Sequence, residues 1–316
     1  MRSSHQQDFT ATANSKQDSQ QDSRNHVPLL SLLLLILVTA IAPTLWGTTY
    51  FITTELLPPD RPFIAACLRL LPAGIILVLI SRHLPKRSEW WHVFILAILN
   101  FAIFHVLLFT AAYRLPGGLA AVVGAIQPLL MMLLMWLVDG RKPAQIALFA
   151  SIVGVFGMAA LLLSPNTAWD FVGVIAAAVG AVLMTCGIFL ARRWRTDMPL
   201  LAFTGWQLLI AGLLLAPLAL VIDPPLAKLS VSNMLGYAYL SLFGTTLAYA
   251  LWFNGIAKLS PVAISSLGLL SPISAVIIGW LVLGQSITGI ALIGLIAVLA
   301  SVLTVQWVLA PTKSTG

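Results

Sequence analysis

Charged residues are scarce in this sequence, at 9% of its 316 positions, while hydrophobic residues make up 59%. Soluble domains carry about 25% charged residues and about 45–50% apolar ones. So little polar surface cannot cover a water-exposed globule, and the composition therefore indicates a protein surrounded by lipid. The net charge of +7 does not indicate nucleic-acid binding, because the basic residues form short clusters between apolar runs.

Cysteine is nearly absent as well. Cys67 and Cys186 lie within apolar runs and form neither a CxxC pair nor a zinc-ligand spacing, so we interpret them as small hydrophobic residues. The sequence also has no GxxxxGK[ST], HExxH or GxSxG motif. These absences argue against ATP-driven transport and against a membrane-embedded enzyme. The sequence predicts no cofactor and no metal site.

Acidic residues are missing from the middle of the apolar runs, since all ten lie in tails, loops or helix ends. Carriers driven by protons or sodium commonly use a carboxylate inside the membrane. Coupling of transport to an ion gradient would therefore use His105, a carboxylate at the edge of the membrane, or the substrate itself. Facilitated exchange without a coupling ion is the remaining alternative.

Long apolar runs make up most of the chain. A helix needs about 20 mainly apolar residues to cross the hydrocarbon core of a bilayer, and ten runs qualify as candidates. The predicted membrane helices are 29–54, 62–81, 90–112, 116–138, 145–164, 170–191, 199–221, 233–255, 261–283 and 287–309. The preceding residues 1–27 are rich in Gln, Ser and Asp and are predicted to form a disordered tail.

The distribution of lysine and arginine predicts the orientation. With the N-terminal tail in the cytoplasm, thirteen of the seventeen basic residues fall inside, three fall outside, and Arg69 lies in the membrane. The positive-inside rule therefore predicts that both termini are cytoplasmic. The expected location is the cell inner (plasma) membrane, crossed several times.

The chain also resembles itself. Shifting residues 107–140 by 144 positions aligns Gly124 with Gly268, Pro128 with Pro272 and Trp136 with Trp280. A second frame, shifted by 138 positions, aligns Ala73-Gly74 with Ala211-Gly212. The two copies are predicted to be five-helix repeats at 28–164 and 165–310. Because five is odd, the second repeat enters the membrane from the opposite side, as in many secondary transporters.

Three stretches carry a resemblance to a known family. They are PTLWGTTYFITTELLPPDRPFIAACLRLLPAG, AAYRLPGGLAAVVGAIQPLL and LSLFGTTLAYALWFNGIAKLSPVAISSLGLLSPISAVIIGWLVLGQ. The sequence resembles the EamA-type permeases of the drug/metabolite transporter superfamily, and among them the PecM-like group. This resemblance implies ten transmembrane helices in two repeats and export of small organic metabolites or drugs. The expected fold is therefore an all-α membrane protein with two inverted five-helix repeats.

Arg69 is the most unusual residue of the apolar runs. It lies near the centre of the second predicted helix, too far from either end for its guanidinium to reach the interface comfortably. Its counterpart in the 138-residue frame is Gln207. Two interpretations stay open: Arg69 lines a central cavity and binds an acidic group of the substrate, or it hydrogen-bonds carbonyls as a structural pin.

Other polar and aromatic residues at similar depth complete the candidate substrate-binding set. They are Trp46, Thr49, Asn100, His105, Gln127, Tyr249 and Ser271. A hydrogen-bonded packing role is the alternative for His105. Proline removes a helix hydrogen bond and frees a carbonyl one turn earlier. We therefore expect helix kinks with a gating role at Pro43, Pro128 and Pro272.

The leading hypothesis is a secondary transporter that exports a small amphipathic metabolite by alternating access. Its expected partners are this small molecule and the lipid bilayer, and the sequence leaves a homodimer open. An importer or exchanger of the same substrate class is the main alternative, because nothing in the residues sets the direction. A channel suits the duplication less well. A membrane sensor or regulatory protein should carry a folded soluble domain, which the short polar tail does not provide.

Overall fold

The computed structural model is helical, and no strand occurs among the residues that it describes. Those residues are 29–115, 117–124, 126–140, 142, 145–162, 170–194, 196–226, 228–259, 267–268, 270–284 and 288–308. The predicted all-α class is confirmed. The predicted disordered tail, 1–27, lies outside the described residues.

Helices lie within all ten predicted segments, and we number them α1 to α10. The first five are α1 (Leu29–Gly47 and Thr49–Leu56), α2 (Pro62–Ser81), α3 (Trp90–Leu96, π-helical Ala97–Ile103 and Phe104–Arg114), α4 (Gly117–Gly124 and Gln127–Asp139) and α5 (Gln145–Leu162). The other five are α6 (Phe171–Arg193), α7 (Leu200–Ile222), α8 (Val231–Ser241, π-helical Leu242–Leu247 and Ala248–Ile256), α9 (Leu270–Leu283) and α10 (Ile290–Val308).

Six of these helices, α1, α2, α3, α6, α7 and α8, are long and apolar enough to cross a membrane. The apolar helices described in α4, α5, α9 and α10 are shorter, so ten crossings stay a prediction. Large apolar side chains cover the outer surface, and Leu220 is 85% exposed. Exposed apolar area of this extent is suited to lipid rather than to water.

Among the described helices, α2 and α7 pack against each other most extensively. A side-chain carbon added at Gly74 would collide with the backbone of Leu208 and Leu209, and one added at Gly212 would collide with Leu71. Gly74 and Gly212 are equivalent in the 138-residue frame, so the contact is reciprocal, as in a two-fold symmetric interface. Small residues allow membrane helices to approach this closely.

Contacts at the ends show that α2 and α7 run antiparallel. Near the start of α2, the backbone N–H of Ile64 donates to Asp223, which follows the end of α7, at 2.6 Å. Just after the end of α2, the carbonyl of His83 accepts a 2.8 Å hydrogen bond from Trp206 Nε1, near the start of α7. The pair is therefore tied at both ends as well as in the middle.

The other close helix pairs also join the two halves of the chain. α5 packs on α10, where Gly154 lies against Ser301 and Gly157 against Ala297. α3 packs on α6, α1 on α8, and α4 on α9. Exchanging each helix with its counterpart five places along the chain reproduces the same pairs. The contacts of the described residues thus have approximate two-fold symmetry.

The three prolines predicted to kink helices are found at different places in α1, α4 and α9. Pro43 lies inside Leu29–Gly47, shortly before α1 is interrupted at Thr48. Pro128 is the second residue of Gln127–Asp139, where the missing N–H costs no hydrogen bond. Pro272 lies inside Leu270–Leu283, and residues 267–268 before it are helical as well. A gating role for them stays a prediction.

We expect Gly74→Ala to lower the unfolding free energy by about 1–3 kcal/mol, because the added carbon overpacks the α2–α7 contact. Gly212→Ala should have a similar effect, because it lies at the equivalent position. Gly124→Ala is the matched control, since an added carbon there meets no atom of the described residues within 4 Å. Thermal unfolding of the detergent-solubilised variants measures the difference. Equal melting temperatures for Gly74→Ala and Gly124→Ala would contradict the packing described here.

Candidate substrate-binding site

Arg69 is buried in the interior of the protein and only 4% exposed. Its Nε donates to Thr245 Oγ1 at 3.0 Å, and its Nη1 donates to Thr49 Oγ1 at 3.2 Å. Its Nη2 donates to the carbonyl of Gly244 at 3.2 Å. The guanidinium carbon also lies 5.9 Å from the centre of the Phe109 ring, within the range of a cation–π contact.

These contacts hold the guanidinium without neutralising it. A guanidinium has five N–H donors, and three of its hydrogen bonds are described. Among the described residues, the three ion pairs do not include Arg69. A buried charge is costly unless it is paired and hydrogen-bonded, and the described contacts of Arg69 supply hydrogen bonds but no opposite charge. Arg69 binds two hydroxyls and one carbonyl. This geometry is neither that of a structural pin bonded to carbonyls alone nor that of an ion pair.

A π-helical stretch of α8 brings the partners of Arg69 into place. Within Leu242–Leu247, Thr245 Oγ1 donates to the carbonyl of Leu240, five residues earlier. The wider turn carries Gly244 and Thr245 on the side facing α2. The corresponding stretch of α3, Ala97–Ile103, is also π-helical, and the 144-residue frame aligns the two. π-helical turns are frequently found at functional sites.

A second polar cluster lies where α3, α6 and α7 meet. Asn100 Nδ2 donates to Gln207 Oε1 at 3.5 Å, and Gln207 Nε2 donates to the carbonyl of Phe203 at 3.1 Å. Asn100 is 7% exposed, and its Oδ1 accepts no hydrogen bond from the described residues. This oxygen lies against Gly187, where an added side-chain carbon would collide with it.

The two clusters are counterparts in the internal repeat. The matched residues are Arg69 with Gln207, Thr49 with Gly187, and Gly244 with Asn100. In the first cluster the long side chain comes from α2 and covers a glycine of the π-helical stretch. In the second, the side chain of the π-helical stretch covers a glycine of α6. The side chain that covers the glycine therefore comes from α2 in the first cluster and from the π-helical stretch in the second. The first cluster carries a charge, whereas the second carries neutral amides.

Aromatic residues extend from the Arg69 cluster. The ring of Tyr249 lies 5.5 Å from that of Trp46 and 6.0 Å from that of Phe101, and Trp46 lies 5.3 Å from Trp252. His105 stacks on Phe101 at 5.7 Å, and its Nδ1 is 3.0 Å from the carbonyl of Phe101. Trp46, His105 and Tyr249, all predicted site residues, thus belong to one connected aromatic cluster.

Gln127 and Ser271 are not joined to either cluster by the hydrogen bonds described here. Gln127 begins the second helix of α4 and is half-buried. Ser271 lies in α9, where its carbonyl oxygen and Ser274 approach Gly47 of α1. Their geometry favours helix packing near the prolines, and their role in binding stays a prediction.

Four residues of these clusters were not expected from the sequence. They are Gly244, Thr245, Phe109 and Gly187. A signal for two of them was available in the repeat, because Asn100 aligns with Gly244, and Thr49 with Gly187. Phe109 aligns with Phe253 in the 144-residue frame, and Thr245 lies in a GTT triplet that also occurs at 47–49, but neither pattern assigns a role.

The EamA-like transporter family matches this chain twice, over residues 31–163 and 171–307. The chain belongs to the EamA-like transporter family. The resemblance seen in the sequence is thereby confirmed. Two adjacent matches also agree with an internal duplication, and together with the six apolar helices they make the chain a multi-pass membrane protein of a transporter family.

Named relatives agree with this assignment. Protein PecM of Dickeya dadantii is 40% identical over 267 residues, which is 84% of this EamA-like chain and 90% of PecM. An uncharacterized inner membrane transporter of Escherichia coli, YedA, is 26% identical over 86% of this chain and 92% of its own length. A solved crystal structure has a TM-score of 0.61 over 87% of this chain and 97% of the other, at 21% identity, which shows the shared fold.

We expect Gly187→Ala to lower the unfolding free energy by about 1–3 kcal/mol, because the methyl group would collide with Asn100 Oδ1. Adding Asn100→Ala in the same protein should recover most of that loss by vacating the space. A double-mutant cycle of melting temperatures measures the coupling. Additive effects of the two substitutions would show that Asn100 and Gly187 do not share this space.

Proposed function

We propose that this protein is a secondary transporter that exports a small organic metabolite by alternating access. The observation that carries the proposal is Arg69, a buried guanidinium joined to no described carboxylate. Charged groups within membrane helices commonly face a substrate path or a partner group. Family membership supplies the transport class, and the direction and the substrate belong to the proposal.

The helix arrangement supports the alternating-access part of the proposal. α2 and α7 occupy equivalent positions of the two repeats and run antiparallel, as inverted repeats require. Their reciprocal glycine contact, and the pairing of each first-half helix with a second-half helix, agree with two inverted five-helix repeats at 28–164 and 165–310. Two halves with the same fold and opposite orientation can exchange conformations, and this exchange creates inward-open and outward-open states.

We propose that Arg69 binds an acidic group of the substrate. Carboxylate, phosphate and enolate groups all match a guanidinium that retains donors. Trp46, Tyr249 and His105 would contact the apolar or planar part of the substrate. Asn100 and Gln207, in the second cluster, would bind its neutral polar groups. The substrate class expected from this set is an amphipathic metabolite with one acidic group.

The proposed location is the cell inner membrane, with both termini in the cytoplasm. The relative YedA is named as an inner membrane transporter, and the distribution of lysine and arginine supports the orientation. In this orientation the loop before α8 faces outward and the end of α8 faces the cytoplasm. Asp223, Arg61 and Arg114 then lie at the outer end of the protein.

Labelling of single cysteines tests this orientation. Only Cys67 and Cys186 need replacement by alanine to obtain a cysteine-free background. We expect Lys228→Cys to react with a membrane-impermeant maleimide in intact cells, whereas Lys258→Cys should react only after lysis. Both lysines are exposed, so accessibility is matched. The reverse labelling pattern would invert the proposed topology.

Metabolite profiles of the culture medium test the function. We expect cells that express the wild-type protein to enrich at least one acidic compound relative to an empty vector. Arg69→Gln should abolish the enrichment at equal membrane abundance, while Arg87→Gln, in an exposed loop, should retain it. Accumulation inside the cells instead of the medium would indicate import. Enrichment retained by Arg69→Gln would exclude Arg69 as the anion site.

The stability of Arg69→Met separates an anion site from a structural pin. A buried charge without an opposite charge carries a desolvation penalty, which an apolar side chain of similar length removes. An anion site therefore predicts a melting temperature at or above that of the wild type, with transport lost. A structural pin predicts instead a loss of several degrees, because three hydrogen bonds disappear.

A further inference from the structure

Two buried hydroxyl groups of α8 have no hydrogen-bond partner among the described residues. They belong to Tyr237, which is 6% exposed, and to Ser241, which is 3% exposed. A serine or threonine within a helix commonly donates to the carbonyl four residues earlier, as Thr185 donates to Ala181 at 2.7 Å. The hydroxyl of Ser241 makes no such bond, so its donor and its acceptor are both unused.

These hydroxyls lie on the face of α8 that also binds Arg69. Tyr237, Ser241 and Thr245 follow one another at four-residue spacing and are all buried, and Thr245 accepts the hydrogen bond from Arg69 Nε. Four helical residues correspond to about 6 Å along the axis. Ser241 therefore lies about one turn from the level of Arg69. Tyr237 lies about two turns away, near the buried Asp223 at the proposed outer end.

The neighbouring helices close around the two hydroxyls. α2 and α8 start at the same end of the protein, since Tyr237 lies near Arg61. At the level of Ser241, four residues before Arg69, α2 carries the fully buried Ala65, which offers no polar side chain. A ligand reaches these hydroxyls only when the helices separate at this end, as alternating access requires.

The internal repeat shows what the fold itself requires at these two positions. In the 144-residue frame, Tyr237 and Ser241 correspond to Val93 and Ala97 of α3, and both of these residues are fully buried. The fold therefore accommodates apolar side chains at these positions. A buried hydroxyl without a partner lowers stability, because its desolvation is not compensated. A ligand explains the two hydroxyls better than packing does.

We infer that Tyr237 and Ser241 form a second subsite of the substrate-binding site and bind an uncharged oxygen of the substrate, a hydroxyl or a carbonyl. This inference rests on the proposed function and deepens it by specifying a second polar group of the substrate. Hydroxyls donate and accept hydrogen bonds without carrying charge, so the pair suits a neutral group. The expected substrate carries an acidic group for Arg69 and an uncharged oxygen about one helical turn, about 6 Å, from it.

Cysteine accessibility tests whether this place opens, and it needs no known substrate. In the cysteine-free background, Ser241→Cys should react in intact cells with a small membrane-impermeant methanethiosulfonate, although Ser241 is buried in this structure. Ala97→Cys, at the counterpart position near the proposed inner end, is the matched control and should not react from outside. A Ser241→Cys protein that stays unreactive from both sides of the membrane would overturn the inference.

Melting temperatures separate a binding role from a structural role. Removing an unpartnered hydroxyl removes its desolvation cost, so Tyr237→Phe and Ser241→Ala should melt at or above the wild-type temperature. Tyr113→Phe is the matched control, because the hydroxyl of Tyr113 donates to Pro58 O at 3.0 Å, and this variant should melt lower. If Tyr237→Phe and Ser241→Ala lose as much as Tyr113→Phe, the hydroxyls have structural partners and the inference is wrong.

Profiles of the medium and of the cells measure the contribution to transport. Wild-type cells should enrich a compound that carries an acidic group and an uncharged oxygen. Tyr237→Phe and Ser241→Ala should lower this enrichment several-fold at equal membrane abundance. Thr304→Val, which removes a hydroxyl bonded within α10, should retain it. Undiminished enrichment by both variants would overturn the subsite and leave the transporter intact. No enrichment by the wild type, in medium or cells, would overturn the proposed function even if Ser241→Cys reacts.

Binding of the enriched compound to purified protein excludes a role in conformational exchange alone. The compound should raise the melting temperature of the wild type, and Ser241→Ala should need several-fold more compound for the same rise. An analogue without the uncharged oxygen should bind the wild type and Ser241→Ala equally. Equal binding of the complete compound to both proteins would overturn the inference.

Discussion

The buried guanidinium of Arg69 is the constraint on which the polar interior depends. It requires acceptors in a region where the surrounding helices offer almost only apolar side chains. Thr49 of α1 and the π-helical stretch of α8 supply these acceptors, so three helices converge on one charge. The wide turn of α8 presents the carbonyl of Gly244 and the hydroxyl of Thr245 together to Arg69, whereas a regular α-helix would direct that carbonyl to the N–H four residues later. The hydrogen bonds at both ends of the α2–α7 pair hold α2, and with it Arg69, against α7 in this structure.

Approximate two-fold symmetry explains why a second polar cluster exists. Gln207, Gly187 and Asn100 repeat the positions of Arg69, Thr49 and Gly244, but the bulk has moved from the α2 position to the π-helical stretch. Each cluster contains one glycine, but the first holds a guanidinium where the second holds two neutral amides. The glycine contacts set the register of the antiparallel α2–α7 pair. In this register Arg69 and Gln207 are displaced along the helix axes by about seven residues, or about 10 Å. A substrate passing between the two ends would meet unlike groups in sequence.

Much of this arrangement could be predicted from the sequence. Apolar runs of membrane length located the helices, and the 138-residue repeat frame identified Gln207 as the counterpart of Arg69 by residue spacing alone. The π-helical stretches could not be predicted, because nothing in AILNFAI or LFGTTL distinguishes them from α-helix. The burial of Asp223 was also hidden, since a residue at a helix end looks exposed until the neighbouring helix is known.

The reciprocal glycine contact between α2 and α7 bears on why the two halves share one chain. Two separate half-length chains, inserted in opposite orientations, could form the same contact as a homodimer. Such a dimer would carry an arginine in both copies, and two like charges about 10 Å apart in a low-dielectric interior would repel each other strongly. When the two copies are joined in one chain, they no longer need to carry the same residue at this position. One half can keep its guanidinium while the other substitutes an amide, so the gene fusion itself permits a single-charge interior that no symmetric assembly could have.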